Sequence, residues 1–186
     1  MNIYDTCIYD FSGQKNLGRA YNEAMANAPE DSHVILRDGD TCWLTPDYGI
    51  HVSEYIRRYP NAVLTCWTNR INAKAEQQAP GLRDCHDMLE LLRAAEEYKS
   101  SLYRTTPIHG FVSGFCLILP KNLWHQHKFS EVQVYSDRGP TNMLGVDNDW
   151  TNRVRAAGTP VLNMDGVLLF HIYRMLKGDQ DKSHLL

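Results

Sequence analysis

Strand-like and helix-like segments alternate through the first half of the 186-residue chain, and no other feature constrains the fold as strongly. Runs rich in β-formers at residues 3–11, 33–37 and 62–68 are separated by two stretches with helical spacing of their apolar residues. The spaced residues are Leu17, Ala20, Tyr21, Ala24 and Met25, followed by Val52, Tyr55, Ile56 and Tyr59. The pattern predicts an α/β protein with a largely parallel sheet and helices on both faces.

The second half of the chain contains the same two kinds of segment in a less regular order. Strong helix formers fill residues 87–101, and the apolar run GFVSGFCLILP at 110–120 indicates a buried strand. The other predicted segments are a mobile polar loop at 70–86, a loop at 130–145, a helix at 150–157 and strands near 160–163 and 166–174. We expect one domain over residues 1–176 and a polar tail over 177–186.

Composition argues against several classes of protein. A hydrophobic fraction of 43% and a charged fraction of 22% are ordinary for a soluble globular domain. The net charge of −3 and the pI of about 6.2 argue against a nucleic-acid partner. No apolar run approaches the length of roughly 18 residues that a transmembrane segment needs.

The five cysteines are scattered, and none forms a C-x-x-C pair. The N-terminal residues lack the basic and apolar regions of a signal peptide. Both observations predict a cytoplasmic protein with reduced thiols, most of them small core residues.

Two aspartates follow the apolar run HVILR, at Asp38 and Asp40, with Gly39 between them. Asp-Gly is a common turn, and that reading stands as one alternative. The other is a metal site, because side chains two residues apart on extended chain point the same way and carboxylate oxygens suit Mg²⁺ or Mn²⁺. In α/β sheets ligands bind beyond the carboxyl ends of strands, where these aspartates are expected.

A second acidic pair, Asp147 and Asp149, precedes the helix predicted at 150–157. An aspartate there can cap the helix, whereas a carboxylate at the mouth of a pocket can act as a general base. His171 lies in the apolar run VLLFHIYR, where it is either a hydrogen-bonded core histidine or a metal ligand close to the first pair.

Three further residues are candidates for substrate binding. Lys15 and Arg19 lie beside a glycine and a predicted helix start, which is a combination that can face a phosphate or can be a solvated basic loop. Gly114 interrupts a predicted buried strand, and this indicates a bulge or the close approach of a ligand.

The order of these motifs resembles the family 2-like glycosyltransferases with a GT-A fold, and in particular their short bacterial and phage-type members. The matching text is NLGRAYNEAM, VILRDGDTCWL, GFVSGFCLILPKNLW and VDNDWTNRVRAAGTPVLNMDGVLLFHIYR. The resemblance extends over residues 9–174. It implies a Rossmann-like, nucleotide-diphospho-sugar transferase fold with a mixed sheet flanked by helices.

The resemblance also implies roles for individual residues. Asp38 and Asp40 match the D-x-D motif that binds the metal and the nucleotide-sugar diphosphate, and His171 matches a late histidine that completes the metal site. Asp147 matches the catalytic base, and Asp149 matches the last acidic residue of the same cluster.

For the remaining candidates the resemblance implies contacts with the donor. Gly114 falls in the strand that lines the donor and acceptor pocket, and Lys15 and Arg19 fall near the nucleotide. The implied cofactor is a divalent metal, Mn²⁺ ahead of Mg²⁺. The implied partners are a UDP-sugar ahead of a GDP-sugar as donor, and a glycan, lipid-linked or protein acceptor, with inversion at the anomeric carbon.

The chain departs from the family at its beginning, where only one strand precedes the N-x-G helix and part of the nucleotide pocket is missing. Two alternatives therefore stay open. One is a non-catalytic relative that binds a nucleotide-sugar or glycan, and the other is a metal-dependent nucleotidyltransferase or hydrolase.

Overall fold

The computed structural model describes residues 2–8, 16–71, 75–132, 134–136, 139–141 and 145–172, which form nine strands and five α-helices. Lys15 and the predicted tail at 177–186 lie outside these ranges. In chain order the elements are β1 (Asn2–Ile8), α1 (Leu17–Asn27), β2 (Ser32–Asp38), β3 (Thr41–Trp43), α2 (Tyr48–Arg58), β4 (Val63–Thr68), α3 (Met88–Tyr98), β5 (Thr105–Pro107), β6 (Cys116–Pro120), α4 (Lys121–Gln126), β7 (Val134–Ser136), β8 (Gly139–Thr141), α5 (Val146–Ala156) and β9 (Val161–His171). Strands β7 and β8 pair as a separate hairpin.

The other seven strands form one mixed sheet in the order β1-β2-β6-β4-β9-β3, and β5 pairs with β9 as well. The α/β class is confirmed, but the prediction of a largely parallel sheet is wrong. Only β1 with β2 and β4 with β9 pair in parallel, because β6 enters between β2 and β4 in the opposite direction. Strands β1, β2, β4 and β9 still run the same way, so their carboxyl ends and the start of β6 lie at one edge of the sheet.

Helices cover both faces of the sheet, as the alternation of segments predicts. On β2, Val34 and Leu36 join a core with α1, α4 and α5, whereas Ile35 joins a second core with α2. The same division separates Leu117 from Ile118 on β6. Because successive side chains on a strand point to opposite faces, a fully apolar strand requires cover on both sides.

Helix α1 docks on the segment that follows α4. Asn16 caps the helix by accepting the Arg19 N–H at 3.0 Å. One turn further, the buried Asn22 accepts the Phe129 N–H at 3.0 Å and donates to the Phe129 carbonyl at 3.0 Å. Gly18 lies so close to the Ser130 carbonyl that no side chain fits between them. The N-x-G-x-A-x-N spacing is therefore explained by helix docking.

The last strand is continuous where the sequence predicts two short strands. Strand β9 pairs with β4 from Val161 to Met164, and the register then shifts between Cys66 and Trp67 before pairing resumes at Leu168. The later part of β9 also pairs with β3, a strand that the sequence does not predict, and this pairing sets His171 opposite Thr41.

Replacing Gly18 by Ala tests the docking of α1. A methyl group at this position would overlap the Ser130 carbonyl, so we expect a loss of about 1–3 kcal/mol in the free energy of unfolding. Gly49 is the matched control, because it is also the second residue of a helix and a Cβ there meets nothing within 4 Å. Gly49→Ala should be neutral or stabilising by up to about 1 kcal/mol. Urea denaturation measures both, and equal effects of the two variants would contradict the docking.

Candidate metal and catalytic site

The Asp38-Gly39-Asp40 segment forms a turn that also brings two carboxylates together. Strand β2 ends at Asp38, and the Thr41 hydroxyl donates to the Asp38 carbonyl at 2.6 Å as the chain enters β3. The Asp40 carbonyl accepts the Ile172 N–H at 3.0 Å, which joins the turn to the end of β9. The segment can therefore be a turn and also bring the two carboxylates close together, so the two alternatives from the sequence are compatible.

His171 completes a cluster with these aspartates. Its Nε2 lies 3.6 Å from Asp38 Oδ2 and 3.3 Å from Asp40 Oδ1. One ligand atom from each residue falls within 4.8 Å of the others. Two carboxylate oxygens and one imidazole nitrogen are ligand types that divalent cations accept, so this cluster could hold a metal ion. His171 is 2% exposed, whereas the side chains of Asp38 and Asp40 are 38% and 45% exposed, so solvent reaches the carboxylate side.

The imidazole of His171 is held in place from two sides. Its ring stacks on Phe115 with ring centroids 5.5 Å apart and an interplanar angle of 21°. Its backbone N–H donates to Asn69 Oδ1 at 2.9 Å, and Asn69 in turn donates to the Cys85 carbonyl. Packing and hydrogen bonds thus position His171 before any ligand binds.

The pKa of Asp38 is raised to about 6. Burial is the largest cause, the neighbouring His171 opposes it, and the like charges of Asp40 and Asp147 add to it. A carboxylate that is costly to ionise without a counter-charge gains from a bound cation, so this electrostatic environment favours a divalent metal.

Asp147 lies in the first turn of α5 and accepts two backbone N–H bonds. Its Oδ2 accepts the Gly114 N–H at 2.5 Å, and its Oδ1 accepts the Asn148 N–H at 2.9 Å. Burial raises the pKa of Asp147, and both hydrogen bonds oppose that rise. The residue is only partly buried, and its carboxylate is more basic than usual.

Tyr21 also belongs to the site. The sequence does not identify it as a site residue, because its spacing indicates only an apolar position of α1. Its hydroxyl donates to the Gly114 carbonyl at 3.3 Å. Burial raises the pKa of Tyr21 well above 10, and the charges of Asp38 and Asp147 raise it further. The phenol therefore stays protonated and remains a hydrogen-bond donor beside the two carboxylates.

Gly114 is crowded by protein side chains. A Cβ at this position would overlap the Tyr21 hydroxyl and lie 2.9 Å from Asp147 Cβ. The groups that approach Gly114 closely are thus the side chains of Tyr21 and Asp147, whereas the sequence predicts a bulge or a ligand there. The absence of a side chain lets the Gly114 amide reach the Asp147 carboxylate.

Two other predicted site residues pair elsewhere. Asp149 forms an ion pair with Arg153 at 3.0 Å, and Arg19 forms one with Glu23 at 2.7 Å. Each pair spans one helical turn and is partly exposed. The structure therefore brings together Asp38, Asp40, His171, Asp147 and Gly114, whereas the predicted role of Lys15 falls outside the described residues.

Comparisons with known proteins add no family to this description. A scan of the chain against protein-family models gave no match, and a search of the curated proteins gave none. Among the described residues, no helix is both long and apolar enough to cross a membrane. The function is therefore argued from the site.

Replacing Gly114 by Ala tests the crowding around Asp147. We expect a loss of about 2–3 kcal/mol in the free energy of unfolding, because the methyl group would overlap the Tyr21 hydroxyl. Tyr21→Phe removes that oxygen and should cost about 1 kcal/mol alone. In the double variant the methyl group occupies the vacated space, so the combined loss should be about 1 kcal/mol less than the sum. Strict additivity in urea denaturation would contradict this packing.

The pH dependence of Mn²⁺ binding tests the role of Asp38. Below pH 6 a proton occupies this carboxylate, and above pH 6 the ionised oxygen is available to the metal. Between pH 7 and pH 5 the ionised fraction falls to about one tenth, so titration calorimetry should show at least about a tenfold loss of affinity. Asp38→Asn should bind Mn²⁺ weakly at both values, and equal wild-type affinity at both would contradict the assignment.

Proposed function

We propose that the chain is a metal-dependent glycosyltransferase of the GT-A, family 2-like type, which moves a sugar from a nucleotide-sugar to an acceptor hydroxyl. The observation that carries the proposal is the convergence of one ligand atom each from Asp38, Asp40 and His171 within 4.8 Å, although His171 is far from the two aspartates in the chain. A third carboxylate, that of Asp147, lies close enough for its charge to raise the pKa of Asp38. Such a transfer requires carboxylates that bind the metal, here Asp38 and Asp40, and a separate carboxylate that accepts the proton, here Asp147.

Asp38, Asp40 and His171 would hold the divalent ion, which supplies Lewis-acid stabilisation of charge on the departing diphosphate. His171 offers Nε2 to this position, and its stacking on Phe115 fixes the plane of the ring. Asp38 and Asp40 keep more than a third of their side-chain surface open, which leaves room for phosphate oxygens on the solvent side.

Asp147 is proposed as the general base that takes the proton of the acceptor hydroxyl. Burial raises its pKa, which strengthens it as a proton acceptor, while the N–H bonds from Gly114 and Asn148 fix its orientation. Attack by the deprotonating hydroxyl in line with the leaving diphosphate inverts the anomeric carbon. Negative charge from Asp147 also favours a transition state with oxocarbenium character.

The donor and acceptor classes rest on the motif resemblance. We propose a UDP-sugar ahead of a GDP-sugar, Mn²⁺ ahead of Mg²⁺, and a glycan, lipid-linked or protein acceptor. The mixed α/β sheet, with the acidic groups at the edge where four strands end, is compatible with a Rossmann-like GT-A fold.

A nucleoside-diphosphate release assay tests the proposal. The purified chain is incubated with Mn²⁺ and with UDP-glucose, UDP-galactose, UDP-GlcNAc, UDP-GalNAc or GDP-mannose, with and without EDTA. We expect slow release of an intact nucleoside diphosphate from one donor, lost with EDTA and in Asp38→Ala. Asp147→Asn should still bind donor and Mn²⁺ but release about 10²–10⁴-fold more slowly, because only the proton acceptor is lost.

Asp5→Asn is the matched control, because Asp5 lies on the neighbouring strand β1, pairs with Arg37 and belongs to neither acidic group. Its release rate should equal that of the wild type. Release of pyrophosphate or sugar phosphate would instead identify a nucleotidyltransferase or hydrolase. Absence of release, combined with no thermal shift from donor and Mn²⁺, would contradict the proposed function.

A further inference from the structure

The backbone of Ser113–Cys116 leads into β6, and each of its residues is held by a different part of the fold. Gly114 bonds to Asp147 and Tyr21, as described above. The Phe115 carbonyl accepts the Asp38 N–H at 2.9 Å, and the Cys116 carbonyl accepts the Thr65 hydroxyl at 2.7 Å. Ser113 is held by a single side chain, that of Gln77.

Gln77 forms a paired hydrogen bond with the backbone of Ser113. Its Oε1 accepts the Ser113 N–H at 2.8 Å, and its Nε2 donates to the Ser113 carbonyl at 2.8 Å. The same Nε2 donates to the Thr65 hydroxyl at 3.0 Å. The side-chain amide thus makes the same pair of hydrogen bonds with Ser113 that a neighbouring strand would make. Gln77 is 0% exposed, so these hydrogen bonds satisfy a fully buried amide.

We propose that Gln77 is a positioning residue that holds the Gly114 amide against the Asp147 carboxylate. The expected effect on kcat rests on the proposed function. The expected effect on the position of the Gly114 amide rests on the hydrogen bonds alone. Ser113 and Gly114 share a peptide unit, because the carbonyl that accepts from Gln77 is bonded to the Gly114 nitrogen. A planar peptide unit transmits any rotation of that carbonyl directly to the Gly114 N–H and its bond to Asp147.

Thr65 restrains the Gln77 side chain, because it links the amide of Gln77 to β4. Its hydroxyl accepts from Gln77 and donates to Cys116, so Ser113 and Cys116 are tied to the same point of the sheet. The two ends of the segment that contains Gly114 are therefore fixed with respect to each other. A catalytic carboxylate held through such a chain depends on contacts distant from its own helix.

The neighbouring Glu76 provides a matched control. It belongs to the same loop and also bonds to a backbone segment, accepting the Gly110 N–H at 2.7 Å and the His109 N–H at 3.2 Å. Those residues precede Ser113, and among the described hydrogen bonds none joins them to Asp147. Glu76→Gln keeps the shape and an acceptor oxygen, so it perturbs the loop without releasing Ser113.

Nuclear magnetic resonance of the Gly114 amide tests the structural part. Labelling serine carbonyls with ¹³C and glycine nitrogens with ¹⁵N selects Ser-Gly pairs, which occur at 12–13 and 113–114, and Ser12→Ala removes the first signal. A short N–H bond to a carboxylate moves the proton signal downfield. We expect Gln77→Met to shift the Gly114 signal upfield, and Glu76→Gln to leave it in place.

Kinetics test the functional part with the donor that the release assay identifies. Gln77→Met should lower kcat about ten- to a hundredfold, with KM for the donor and Mn²⁺ affinity unchanged within about twofold, because the metal ligands are untouched. If Gln77→Met does not fold, Gln77→Glu serves instead, since it keeps the shape and loses the donated bonds.

An unchanged Gly114 signal in the folded Gln77 variant, or an equal shift in Glu76→Gln, would overturn the proposal. A rise in donor KM with kcat unchanged would also overturn it. If the wild type releases no nucleoside diphosphate from any donor, the proposed glycosyltransferase function fails, while the Gly114 signal still decides whether Gln77 holds this peptide unit.

Discussion

The hydrogen bond between the Gly114 amide and the Asp147 carboxylate joins the two parts of the candidate site. Asp147 lies in the first turn of α5 on one face of the sheet, and Gly114 precedes β6 at the edge of the same sheet. A partly buried carboxylate needs such donors, because a charge removed from water without partners is strongly destabilising. The bond in turn requires a residue without a side chain at 114, and it fixes how closely α1 and its Tyr21 can approach.

The antiparallel entry of β6 into the sheet makes this arrangement possible. Because β6 starts where β2, β4 and β9 end, its first residues pass between Asp38 on one side and Thr65 on the other. In a wholly parallel sheet the start of that strand would lie at the opposite edge, away from the acidic residues. The mixed pairing thus shapes the site, because it places the Gly114 amide at the edge where the carboxyl ends of β2, β4 and β9 lie.

Much of the candidate site could be predicted from sequence because its residues follow local rules. Asp38 and Asp40 come directly after an apolar strand, and Asp147 lies at a helix start, so short patterns locate them. Tyr21 and Gln77 carry no such signal. A buried tyrosine looks like any other apolar position of a helix, and Gln77 lies in a polar stretch that predicts a mobile loop, although its amide is fully buried.

The order of the strands in the sheet also cannot be predicted from local sequence patterns, for a related reason. Alternating segments indicate how many strands and helices exist, but pairing depends on contacts between residues far apart, such as Val34 with Leu119. The short β3 has only three residues, too few for periodicity to show. His171 is a candidate from its residue type and its place in the order of motifs, whereas its partners Phe115 and Asn69 emerge only from the folded chain.

The shift in register within β9 has a consequence for how this chain can vary. Three residues, Asp165, Gly166 and Val167, lie between the two parts of β9 that pair with β4. Side chains on a strand alternate between faces, so the length of this insert decides which residue reaches the acidic turn. Loss of a single residue there would present Ile172 in place of the imidazole, and gain of one would present Phe170. The length of this insert is thus constrained by the site, and Gly166 is constrained in type as well, because a Cβ there would overlap the backbone of Leu102.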